Sequence, residues 1–203
     1  DPVPDSVMAT ILDNARFAPS GGNRQGWRVI IVRDQATRDA LPAIIEPAMQ
    51  RYVAQVQAGE APWNTVNESA LSAAQIEATK VPDQMIQALV QAPVLLFVFL
   101  DLSLVASFDQ YLDRVGVISG ASIYPFVWNI LLAARNEGYG GTPTTFAGAR
   151  EVELKTLLSV PEHFALGAMI PLGKPVKQLT RLRRNPIENF VSLETFDGAT
   201  LDV

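Results

Sequence analysis

Ser20, Asn23, Arg24 and Gln25 gather hydrogen-bonding side chains into one short stretch, with Pro19 before them, Gly21-Gly22 among them and Trp27 close behind. Proline stops a helix, and adjacent glycines let a backbone turn where a Cβ would clash. A loop of small, flexible and polar residues set against an aromatic suits close approach to a planar ligand with polar edges. The same residues also read as an ordinary helix-to-strand turn. A second candidate is Gly138-Tyr139-Gly140-Gly141-Thr142-Pro143-Thr144-Thr145, whose glycines make backbone N–H groups accessible to a ligand. Its plain alternative is a glycine helix stop followed by a turn. The glycines do not follow GxGxxG spacing and no Walker-type lysine motif occurs, so the standard dinucleotide and P-loop readings fail.

Most other chemistries lack their residues. Cysteine is absent, which excludes disulfides, thiolate catalysis and cysteine metal sites. His163 is the one histidine and stands beside Pro161 and Glu162 in an expected loop. It cannot build a histidine-rich zinc site, and no nucleophile elbow accompanies it for a triad. The acidic residues show no calcium-loop spacing, and no carboxylate pair stands out for hydrolysis. Elimination leaves redox chemistry carried by an organic cofactor, which the protein needs only to bind and orient. A formal net charge of −5 offers no basic surplus for a nucleic-acid backbone, and Arg181-Leu182-Arg183-Arg184 is the one basic cluster.

With 203 residues, 48% of them hydrophobic, the chain is long enough for one substantial core. We expect one domain over residues 1–203, with a helical covering insertion at about 46–92 and a C-terminal arm at about 181–203. Asp5 or Ser6 is placed to cap a first helix, whose Val7, Met8, Ile11, Leu12 and Ala15 fall on one side. Trp27 to Val32 reads as a strand buried on both faces. Helical spacing resumes over residues 36–49, interrupted by Pro42 and Pro47. Residues 51–91 read as helices and loops over the core, with Trp63 either covering a ligand or pinning the excursion down. Val94 to Leu100 is apolar throughout and suits a central strand. Residues 109–137 read as mostly helical, with Pro125 kinking or splitting them. Within them Val115 to Ala134 is apolar all round; it has roughly the length of a membrane span, but Ser119, Ser122, Pro125 and Asn129 interrupt it and no second span accompanies it. Glu151 to Leu158 is a short amphipathic helix, and Phe164 to Pro171 a further buried strand. No charged start leads into an apolar run, so no signal peptide is expected, and a cytoplasmic protein is the simpler reading.

Three segments, in order, carry a family resemblance. Ala18-Pro19-Ser20-Gly21-Gly22-Asn23-Arg24-Gln25-Gly26-Trp27 is similar to A-P-S-x-x-N-x-Q-P-W, with Gly26 in place of proline. Asn129 to Ala134, running into Glu137-Gly138-Tyr139-Gly140-Gly141-Thr142, is similar to N-x-x-L-A-A-x-x-x-G-x-G. Val160-Pro161-Glu162, Ile170 to Pro175, and Arg184-Asn185-Pro186 are similar to the closing strand and R-x-P segment. Together these resemble the nitroreductase superfamily of FMN-dependent oxidoreductases.

The resemblance implies an α+β fold, a central mainly antiparallel sheet wrapped by helices, in a domain-exchanged homodimer with two FMN sites. It implies FMN contacts from Pro19, Ser20, Gly21, Asn23 and Gln25 of one subunit, backbone donors near N5 and O4 of the ring from Gly140, Gly141 and Thr142, and a phosphate partner in Arg184. It names no catalytic side chain and no metal. For the family's usual R-x-x-R-x-F phosphate stretch two readings stay open: either it precedes Asp1, or phosphate binding leans on Arg184 and its neighbours. The implied activity is hydride transfer from NADH or NADPH through flavin to nitroaromatic or quinone-type acceptors by a ping-pong mechanism, without nucleic acid or membrane as partner. Two alternatives stand beside it: an FMN-sequestering protein with little turnover, and a same-fold flavoenzyme of other chemistry, such as a dehalogenase, a dehydrogenase or a flavin-degrading enzyme.

Overall fold

Val94 to Leu100 is apolar at every position, yet its side chains divide between two faces. Leu96, Val98 and Leu100 enter one cluster with Ile170 and Leu172, while Leu95, Phe97 and Phe99 enter another with Met169. This is the period of two that a strand imposes, seen on a strand covered on both sides. The computed structural model describes residues 2–201. Its regular elements are α1 (Asp5–Ala15), β1 (Trp27–Val32), α2 (Gln35–Gln57), α3 (Ala73–Glu77), α4 (Asp83–Val90), β2 (Val94–Asp101), α5 (Tyr124–Asn136), β3 (Gly140–Gly141), α6 (Glu151–Leu157) and β4 (Phe164–Gly173). The four strands form one antiparallel sheet in the order β1-β2-β4-β3. Helices α1 and α5 cover one face, and α2, α4 and α6 the other. The fold is therefore α+β, a central antiparallel sheet wrapped by helices.

Several local expectations change. Neither Asp5 nor Ser6 caps α1. Pro4 holds the cap position without a side-chain bond, and Asp5 instead pairs with Arg33 at the end of β1. Strand β1 is an edge strand and only half covered, with Ile31 exposed, because β2 alone pairs with it. Pro42 and Pro47 do not interrupt α2, which runs 23 residues to Gln57. Asp34 starts it by accepting from the Thr37 N–H at 2.8 Å, and burial of Leu41, Ile44, Ile45 and Met49 outweighs the lost helix bonds.

The largest difference falls at residues 109–123, where no α-helix forms. The Asp109 carboxylate accepts from Val117 N at 2.6 Å, Ile118 N at 3.3 Å and the Arg114 guanidinium at 2.9 Å, which folds the segment into a closed loop. A buried carboxylate bound to backbone N–H groups competes directly with helix hydrogen bonding. After a 3₁₀ turn at Ile118–Ser122, α5 opens at Tyr124 with Pro125 in its first turn, where its missing N–H costs nothing. Pro125 thus begins a helix; it kinks none. Among the described residues no helix is long and apolar enough to cross a membrane. Helix α5 ends at Asn136, and the turn after it passes through Gly138, whose φ is 79°, with Tyr139 N donating to Ala134 O at 2.8 Å.

Candidate functional site

The loop before β1 is shaped by its backbone. Gly22, Asn23 and Gln25 all adopt the left-handed region, at φ 60°, 53° and 50°. Asparagine tolerates this, whereas for glutamine it is strain of the kind that persists where surroundings over-determine a conformation. The surroundings do so. Ser20 Oγ accepts from Gln25 N at 2.9 Å, Gln25 Nε2 donates to Asn23 Oδ1 at 3.2 Å, and Gly21 N donates to Ser122 Oγ at 3.1 Å. Ser20 retains a hydroxyl proton and Asn23 its amide donors on an open surface, so this turn can offer hydrogen bonds to a polar ligand. Pro19 sits exposed at the loop's start.

The glycine segment stands elsewhere. Gly140 and Gly141 form β3 and pair with Gly173 and Leu172, and Leu172 pairs in turn with Val94 at the start of β2. A Cβ on Gly141 would meet Pro171 O at 2.9 Å, so close backbone approach requires glycine there. The loop lies at the other end of the sheet, where Asp101 N donates to Gly26 O at 2.8 Å and Trp27 pairs with Leu100. The eight residues of β2 separate the two groups, which amounts to roughly 20 Å along the strands. They also flank opposite edges of the sheet. One copy of the chain therefore does not bring Ser20 and Asn23 to the same small ligand as Gly140 and Gly141.

Thr142 opens onto a cavity of 1040 Å³, whose walls include Thr145, Tyr52, Trp63, Tyr124 and Trp128. Pro19, Ser20, Gly21, Asn23, Gln25, Gly140, Gly141 and Arg184 are not among its lining residues. Arg184 is exposed in the irregular stretch after β4 and donates to its neighbour's carbonyl, Arg183 O, at 2.7 Å. No residue lining the cavity carries a charge at neutral pH. Tyr52 and Trp128 were missed by sequence reasoning, whereas Thr145 stands in the glycine-bearing segment already marked. Tyr52 and Trp128 lie within helical stretches where an aromatic has no distinguishing mark, while the threonine pair after Pro143 was a visible signal. The depressed carboxyls lie apart from this wall. The Ser103 hydroxyl holds Asp101 below the usual carboxylate range, the Ser69 hydroxyl does the same for Glu60, and the Val117 N–H for Asp109.

Residues 1–174 match the Nitroreductase family. The chain belongs to that family. It is similar to an NADH dehydrogenase of Thermus thermophilus, 30% identical over 196 residues, covering 94% of this chain and 86% of the relative. It is also similar to an iodotyrosine deiodinase of Thermotoga neapolitana, 26% identical over 186 residues, covering 92% of this chain and 84% of the relative. Among solved structures, an iodotyrosine deiodinase bound to FMN and 3-iodo-L-tyrosine superposes with a TM-score of 0.65 at 23% identity, covering 97% of this chain and 91% of that one. The nitroreductase fold thus extends past residue 174 in the comparison of whole chains, as far as an irregular tail whose one short 3₁₀ turn is Ile187–Asn189.

Proposed function

We propose that this nitroreductase-family chain is an FMN-dependent oxidoreductase that uses NADH or NADPH to reduce nitroaromatic or quinone-type acceptors, the two substrates occupying one cavity in turn. The carrying observation is a cavity of 1040 Å³ with aromatic and threonine walls and no charged lining residue. Such a wall holds no carboxylate, histidine or lysine, and its size suits a flat cofactor together with a flat substrate. Bound FMN supplies the two-electron chemistry. The chain's own residues bind, orient and exclude water. The Thr142 to Thr145 edge presents threonine hydroxyls, while Tyr52, Trp63 and Trp128 give apolar flanks.

A second copy completes this reading. The Ser20–Asn23 loop and the Gly140–Gly141 edge lie too far apart for one chain to place both against one flavin. Tyr124, Trp128 and Leu132 leave α5 with a half-exposed outer face, which a partner's surface would cover. The tail carries exposed Leu182, Phe190 and Phe196, and we assign it as an arm that packs on that partner and brings Arg184 to the phosphate. The similarity to an NADH dehydrogenase supports the nicotinamide as reductant.

Purified protein should carry a yellow flavin that NADH or NADPH bleaches without oxygen, and a quinone or nitroarene should restore the colour. Flavin that binds but is never bleached would favour sequestration instead. The similarity to an iodotyrosine deiodinase supports one further reading, reductive dehalogenation. Iodide release from 3-iodo-L-tyrosine, at a rate above that of quinone reduction, would select it.

A further inference from the structure

Trp63 occupies a backbone conformation that its side chain disfavours, at φ 54°. Strain at a bulky residue persists only when neighbours hold it, and here they do. Its backbone N–H donates to Gln55 Oε1 at 3.0 Å, and its indole N–H donates to Ala48 O at 3.3 Å, both on α2. Gln55, only 2% exposed, donates through Nε2 to Glu60 Oε2 at 3.1 Å. Glu60 also accepts from Ser69 Oγ at 2.6 Å and Ala70 N at 2.8 Å, which anchors both arms of the excursion that carries Trp63. The Arg51 guanidinium lies over the indole at 4.4 Å from its centroid, while its buried Nε has no hydrogen-bond partner. Arg51 thus stacks on the ring, and its charge also acts on the nearby Glu60 carboxylate.

A covering segment that merely pinned itself to the core would bury its tryptophan. This one is 40% exposed and lines the large cavity, where Tyr52 and Trp128 contribute further rings. We propose that Trp63 is the specificity-determining wall for the acceptor, a preset surface on which planar aromatic molecules stack, and that Arg51 is the positioning residue that holds its ring. The inference deepens the oxidoreductase reading and rests on it for the word acceptor. Stacking itself needs no turnover. A planar ligand meets a wall whose rotamer and backbone are already fixed, so little ordering opposes binding.

Binding of 2-naphthoate, a planar aromatic that is not reduced, tests this by titration calorimetry on the flavin-loaded protein. Trp63→Leu should weaken the dissociation constant about tenfold, Trp63→Phe should restore it to within about threefold of the wild type, and Arg51→Met should weaken it about threefold. The KM of each variant for menadione should rise in the same order, and by a larger factor than the KM for ferricyanide, which has no ring to stack. Equal naphthoate affinity in wild type and Trp63→Leu overturns the proposal. If Trp63→Leu does not fold, unchanged affinity in Arg51→Met does so. Failure of NADH and NADPH to reduce the wild-type flavin would sink the oxidoreductase reading alone, since the naphthoate titration reads Trp63 independently of turnover.

Discussion

If each flavin site takes the Ser20–Asn23 loop from one copy and the Gly140–Thr142 edge from another, two chains damaged in different halves should repair each other. One variant carries Ser20→Ala and Asn23→Ala, removing two hydrogen-bonding side chains from an exposed loop. Each lost bond is worth on the order of 1 kcal/mol, so FMN affinity should fall tenfold or more without unfolding. The other carries Thr142→Tyr, whose ring projects into the 1040 Å³ cavity and obstructs it. Alone, each variant has every site damaged. Unfolded together in equal amounts and refolded, they should give about half mixed dimers, in which one site collects both defects and the other collects none. About one quarter of all sites should then be intact. The assay is FMN retained after gel filtration, with NAD(P)H-driven quinone reduction alongside. A mixture that retains no more FMN than the two separate variants, although dimers have formed, would refute the shared site. Refolded wild type controls for recovery, and a monomer that still binds FMN tightly would refute the reasoning outright.

Arg38, 8% exposed, donates to Val90 O, Ala92 O, Val32 O and Pro93 O at 2.8, 2.6, 3.2 and 3.0 Å, joining the ends of β1 and α4 to the start of β2. Arg38→Met leaves those carbonyls without their donor and should cost about 2–4 kcal/mol, lowering the melting temperature by roughly 5–15 °C; a loss under about 1 kcal/mol in urea unfolding would show them satisfied otherwise. Glu60, Asp101 and Asp109 all titrate below the usual carboxylate range in the folded chain. Their contribution to stability is therefore full above the unfolded value of about 4 and is lost as the pH falls through the folded values. Melting temperature should hold from neutral pH to about 5 and then drop, less steeply in Glu60→Gln; an acid limb of unchanged slope in that variant would clear Glu60. Arg184→Lys should weaken FMN and Arg184→Ala weaken it further, with riboflavin, which has no phosphate, nearly indifferent. Equal losses for both ligands would mean a general structural effect.

Much of the sheet was legible because strands announce themselves locally. Val94 to Leu100 is an apolar run between Pro93 and Asp101, Phe164 to Pro171 is a second one that follows His163, and both are central strands in the structure, β4 running on to Gly173. Sequence separation hid the rest. The carboxylate that turns residues 109–118 into a loop stands eight residues from the Val117 N–H it binds, and helical periodicity contains no trace of that bond. The prolines of α2 looked like breaks because propensity is a local quantity, whereas the buried side of that helix is held by β2 and α4. The candidate site divides in the same way. Residue types alone excluded thiol chemistry and histidine-rich zinc sites, argued against nucleic acid, and marked two polar, glycine-bearing loops. Their placement at opposite ends of the sheet, the uncharged cavity beside Thr142, and the seating of Trp63 on Arg51 and Gln55 follow from strand order and register, which only long-range packing decides.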